Sequence, residues 1–170
     1  MLRHLKNLTP LIAVFVLTAC SSFVAPAQLS ALAAPPPQST PSNSDIMALL
    51  AMGDYAGAIA AIEASSARED EKLATTGRLA LDGLVDPQAK TRPQLSIEEG
   101  IDRLERAALV ANKVAVADLA ATFNVGVNFR GKNVLLAARP ELANCWNRVQ
   151  AEEKKAADCV ALRKTLGTPK

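Results

Sequence analysis

Alanine occupies 32 of the 170 positions, while aromatic residues make up only 4% of the chain. Alanine is the best helix former, whereas β-branched and aromatic side chains favour strands. This balance predicts an all-α fold and argues against a β-domain. With 49% hydrophobic residues, a chain of this length can bury one core, not two large ones. The single histidine, His4, lies close to the start.

The first residues read Met-Leu-Arg-His-Leu-Lys, and an apolar run follows from Leu8 to Ala19. Arg3 and Lys6 supply the positive start of a secretory signal. The run has 12 residues, which as a helix span roughly 18 Å, short of a hydrocarbon core of about 30 Å. The segment therefore reads as a cleaved signal peptide over residues 1–19, not a membrane span. Without it the chain has no histidine. A Ser-His or Cys-His nucleophile and a histidine zinc site are then excluded. Without Arg3 and Lys6 the 19 basic residues fall to 17, equal to the 17 acidic ones. No basic excess remains to attract nucleic acid.

The run ends in Leu17-Thr18-Ala19-Cys20, which resembles the lipobox of bacterial lipoproteins. The resemblance implies cleavage before Cys20 and acylation of that residue. Its acyl chains would form a stable anchor. Ser21 stands where aspartate would retain a lipoprotein in the inner membrane, so the resemblance implies an outer-membrane location facing the periplasm. Residues 20–43 hold five of the ten prolines, Pro26, Pro35, Pro36, Pro37 and Pro41, and no charge. They read as a disordered Pro/Ala-rich tether. A folded domain over residues 44–170 follows.

Within that domain the apolar spacing gives helix after helix. Ser44-Asp45 is expected to cap a helix carrying Ile46, Leu49 and Leu50, with Gly53 as its stop. Asp54 is expected to cap a second helix with Tyr55, Ile59 and Ile62. A third carries Leu73, Ala80, Leu81 and Leu84. After a polar loop with Pro87 and Pro93, Ser96 and Glu99 form a capping box ahead of Ile97, Ile101, Leu104 and Ala108. Val116, Leu119, Ala120 and Phe123 mark another helix, stopped near Gly126. Val134, Leu135 and Ala138 follow, then Pro140 opens a helix with Leu142, Trp146 and Val149. Ala156, Val160 and Leu166 mark the last. Glu98, Glu99, Asp102 and Glu105 read as a solvated face. Glu99 with Arg103, and Asp102 with Arg106, stand at the spacing of helical ion pairs.

The chain also repeats. Ala58-Ile59-x-x-Ile62-Glu63 returns as Gly100-Ile101-x-x-Leu104-Glu105. Leu49-Leu50-Ala51-Met52-Gly53 returns as Leu79-Ala80-Leu81-Asp82-Gly83, and Leu119 to Phe123 begins a third unit. Met52-Gly53-Asp54-Tyr55-x-x-Ala58-Ile59 resembles the turn of a tetratricopeptide repeat. Leu79 to Gly83, Ile97 to Ala108 and Ala117 to Ala120 resemble the related Sel-one-like repeat. The likeness spans about residues 46–126, with a long loop after Gly83 and a weak third unit. It implies antiparallel helical hairpins stacked as a short solenoid that binds protein rather than catalyses.

Two roles follow from these resemblances. The first is an outer-membrane lipoprotein that positions a protein partner in an envelope or secretion assembly. The second is an immunity protein that neutralises a periplasmic lipase-like toxin of type VI secretion. Neither requires a cofactor or a metal. Phe129 and Arg130, in the loop after Gly126, are the candidate partner-binding residues, because aromatics and arginine dominate hot spots. Burial of Phe129 in the core is the competing reading. Given an oxidising periplasm, Cys145 and Cys159 are expected to form a disulfide. Free thiols or an intermolecular link are the alternatives. In one unbroken helix the two would stand about 21 Å apart, so a bridge requires a turn near Ala151-Glu152-Glu153-Lys154.

Overall fold

The computed structural model describes residues 40–129 and 133–167. The expected signal segment, Cys20, nearly all of the tether and Arg130 lie outside the described residues. The order is α1 (Asn43–Ala51), α2 (Tyr55–Ala64), α3 (Glu69–Val85), α4 (Ile97–Leu109), α5 (Lys113–Val125), β1 (Val127–Phe129), β2 (Asn133–Leu136), α6 (Pro140–Gln150) and α7 (Ala156–Leu166). Each helix packs on the next along the chain. Short polar side chains fix several starts. The Ser96 hydroxyl accepts from the Glu99 N–H at 3.2 Å, and the Glu99 carboxylate accepts from the Ser96 N–H at 2.7 Å. At α1 the cap is Ser42, paired in the same way with Asp45, so the helix opens ahead of the expected Ser44.

Helix α3 packs most extensively on α4, and two glycines let their backbones approach. A Cβ at Gly77 would lie 2.8 Å from the Gly100 carbonyl oxygen and 3.0 Å from Leu104 Cγ. A Cβ at Gly100 would lie 3.2 Å from the Gly77 carbonyl oxygen. The two helices cross at bare backbone. Ile101 and Leu104, at 1% and 0% exposure, are thereby sealed in the core with Leu73, Leu81, Leu119 and Phe123. Complete burial of one such side chain contributes about 1.5–3 kcal/mol.

The long loop after Gly83 is stitched to the α1–α2 turn. The N–H groups of Lys90 and Thr91 donate to the Gly53 carbonyl at 2.9 and 3.3 Å. The Thr91 hydroxyl donates to Asp54, the cap of α2, and accepts from the Ala56 N–H at 3.2 Å. The Tyr55 hydroxyl donates to Asp86 at 2.9 Å. Burial, followed by the Asp86 carboxylate, raises the Tyr55 phenol to about 12.

The all-α expectation has one local exception. Residues after Gly126 pair as an antiparallel hairpin, with Val127 opposite Leu136 and Asn128 opposite Val134. Two causes favour strand here. Gly126 takes φ 72°, which ends α5. Val127 then points inward and Asn128 outward, a two-residue period no helix can use. Val134 and Leu135 thus lie in a strand and not in a helical run.

At the C-terminal end, α6 stops at Gln150 and α7 starts at Ala156. The turn brings Cys145 and Cys159 to a Cα separation of 5.7 Å, with their sulfurs at disulfide distance, 2.02 Å. Trp146 is fully buried in the same core, and its indole N–H has no acceptor among the described residues.

The carboxylates of α4 are solvated in part: Glu99 and Asp102 are exposed, but Glu105 is buried, and Arg163 gathers three of the four. Arg163 of α7 donates to Glu98 at 2.8 Å, to Glu105 at 2.7 and 2.8 Å, and to Asp102. Burial works against the Arg163 charge, but Glu105 and Asp102 hold it protonated well beyond the ordinary arginine range. Glu105 is 4% exposed, and burial raises its pKa against the pull of Arg163. The helical pairs Glu99–Arg103 and Asp102–Arg106 do not form. Glu99 turns back to cap Ser96, and Arg103 reaches Glu63 at 2.6 Å and Thr76 at 2.8 Å. Tertiary partners in a drier setting outcompete exposed pairs along one helix.

Two outcomes test this packing. Gly77→Ala raises helix propensity by about 1 kcal/mol, yet overpacking costs about 1–3 kcal/mol. Urea denaturation is expected to show net destabilisation, and a gain in stability would mean the helices do not cross so closely. In an alkaline titration, phenolate absorbance of the one tyrosine is expected to have its midpoint near 12. The folded pKa exceeds the unfolded one, so the Tyr55 contribution is full below about pH 10 and is lost as pH rises through 12. An ordinary midpoint, unmoved by Asp86→Asn, contradicts the contact.

Candidate functional site

A groove of about 340 Å³ runs between α3 and α5 and is closed at one end by β1. Leu81 and Val85 line one wall, Ala121 and Val125 the other, and Val127 the strand end. Helix periodicity puts these positions on facing sides: Leu81 and Val85, and likewise Ala121 and Val125, are one turn apart. Gly126 permits the sharp exit from α5 that lays the strand there. A side chain at this position would collide with the carbonyl of Leu136.

One lip of the groove is charged. Arg78 donates to Asp82 of its own helix at 2.9 and 3.0 Å and to Asp118 of α5 at 3.2 Å. It thus ties the two walls together. The Asp82 hydrogen bond raises the Arg78 pKa, against the effect of burial. Burial raises the Asp118 carboxyl, and Arg78 partly offsets this.

Val125, which lines the groove, is 65% exposed. Val134, outside the lining, is 66% exposed and stands across the ladder from Asn128, which does line the groove. Exposed aliphatic residues beside a groove are candidates for a contact surface.

The candidate residues divide. Phe129 ends β1 half-buried, beneath Arg92, whose guanidinium carbon lies 5.1 Å from the ring centroid. It is therefore neither a sealed core residue nor a bare surface ring. Arg130 lies outside the described residues, so Arg92, from the long loop after Gly83, is the arginine seen with Phe129. Sequence reasoning missed Arg92, because a polar loop between Thr91 and Pro93 carries no periodicity to place it. It also missed Arg78, Asp118 and Val134. The alternation Val127-x-Phe129 between Gly126 and Gly131 was the available signal for the strand. Cys145 and Cys159 lie within the core rather than at the groove, and Cys20 lies outside the described residues.

This arrangement offers apolar contact with a polar, arginine-bearing border. Among the described residues, no group of three histidine, cysteine or acidic side chains is arranged to hold a metal ion. Comparison of the chain with protein-family profiles, curated proteins and solved structures found no match.

Proposed function

We propose that this chain is an outer-membrane lipoprotein whose helical domain holds a protein partner in the groove between α3 and α5. In this reading Cys20 carries the lipid, and residues 20–43 tether the domain on the periplasmic side. The α1–α2 and α3–α4 hairpins are the first two units of a short Sel-one-like or tetratricopeptide-like solenoid. The strand hairpin and α6 take the place of the second helix of a third unit. The supporting observation is the groove itself, with apolar walls and exposed Val125; on the strand hairpin next to it stand exposed Val134 and Phe129 under Arg92. Aromatic and arginine side chains beside an apolar floor match the make-up of binding hot spots. The mechanism is tethering, in which the anchor raises the effective concentration of the partner at the membrane.

The test is crosslinking in cells, followed by purification of the tagged protein from outer membranes and mass spectrometry. Recovery of envelope or secretion components with the wild type, and their loss with Val125→Glu/Val134→Glu, is the expected result. Equal recovery with both contradicts the groove. Recovery of one hydrolase toxin at equal stoichiometry replaces the scaffold role with the immunity role. In the same cells Cys20→Ala is expected to leave the outer-membrane fraction, and full outer-membrane retention contradicts the anchor.

A further inference from the structure

A second cleft lies away from this groove, where the α4–α5 turn meets the α6–α7 turn. It has a volume of about 500 Å³, within the range of small-molecule sites, about 300–1,000 Å³. Its walls are aliphatic: Ala108, Leu109 and Val116 on one side, Val149 and Ala156 on the other. Ala108 and Val116 belong to the central core, so the floor of the cleft is the core surface itself. The neighbouring lip is apolar as well. Leu109, Val110 and Val114 are 50%, 65% and 65% exposed.

The mouth carries charges of both signs, and Glu153, Lys154 and Asp158 adjoin it beside Lys155. Lys113 and Lys155 line it with one carboxylate, Glu152. Neither lysine pairs with a carboxylate among the described residues. Helices α5 and α7 both begin here, with Asn112 capping the first turn of α5 and Asp158 standing in the first turn of α7. At the C-terminal ends of α4 and α6, N–H groups of the turns take up several of the last carbonyls. Ala111 and Asn112 N–H groups donate to the Ala108 and Ala107 carbonyls at 3.0 and 3.1 Å. Glu152 and Glu153 N–H groups donate to the Val149 and Arg148 carbonyls at 3.0 and 2.8 Å.

The backbone at this cleft is also unusual. Among the described residues, two that are not glycine have a left-handed φ, Ala111 at 66° and Glu152 at 62°. Both line this one cleft. Helix ends commonly place glycine in that conformation, because a side chain there is disfavoured.

We propose that the cleft binds an acyl chain that carries an anionic head group. The alkyl chain lies along the aliphatic walls, and the head group sits between Lys113 and Lys155. The lysines select against a cationic head group, and the aliphatic floor selects against a small, fully polar anion. A free fatty acid and an acidic phospholipid share this chemistry.

The test is calorimetric titration of the purified full chain carrying Cys20→Ala, with dodecanoate below its micelle-forming concentration. Saturable binding at one site is expected. Dodecyltrimethylammonium, and the variant Lys113→Glu/Lys155→Glu titrated with dodecanoate, should each bind about tenfold more weakly or worse. Ala157→Trp, at an exposed lining position, should also weaken binding. Circular dichroism melts confirm that the variants are folded. Displacement of dodecanoate by dihexanoyl phosphatidylglycerol supports a phospholipid as the natural source. Binding without such displacement supports a free single-chain acid. Lack of saturable binding overturns the proposal, as does equal binding of the two head groups or of the charge-reversed variant.

Discussion

The contact of Gly77 with Gly100 is the constraint on which the rest of the fold depends. It allows α3 and α4 to approach until backbone meets backbone. Once they do, Ile101 and Leu104 are sealed, and α4 becomes the central helix of the domain. α5 packs on it from one side, and α7 folds back against it from the C-terminal end. The long loop after Gly83 then has a fixed base from which to reach the α1–α2 turn.

Charge acts as the second organiser, and it does so between helices. Arg163 joins α7 to three carboxylates of α4, Arg103 joins α4 to α2 and α3, and Arg78 joins α3 to α5. Arginine suits these places because its planar fork can serve two or three carboxylate oxygens at once. Removal of one partner would strand a buried charge such as Glu105, which costs more than the intact pair contributes. Equal numbers of acidic and basic residues outside the first 19 therefore do not mean an inert surface. Many of those charges are spent on helix placement. Lys113 and Lys155 stand apart from these pairs, at the mouth of an aliphatic cleft.

The helices were legible because their signals are local. Alanine content, apolar spacing and the Ser96–Glu99 box each act within one or two turns. The start of α1 was read two residues late because Ser42, Ser44 and Asp45 all carry capping side chains, and only three-dimensional geometry selects Ser42. The hairpin was missed because three or four residues per strand give too short a pattern to outweigh the helical context. The Arg163 cluster spans 58 to 65 residues of chain, a distance at which helical spacing carries no information. For the same reason Phe129 was legible as a candidate, while its partner Arg92 was not. The turn between Cys145 and Cys159 was legible only by exclusion, because one straight helix cannot bring them together.

The groove between α3 and α5 carries the functional account, and site-specific photocrosslinking in living cells tests it most directly. A photoreactive residue at Asn128, inside the groove, is predicted to capture a discrete protein partner. The same residue at Ala60, exposed on α2 and away from the groove, is predicted to capture none. Adducts from position 60 and not from 128, or equal capture from both, would contradict the assignment of this groove as the binding surface.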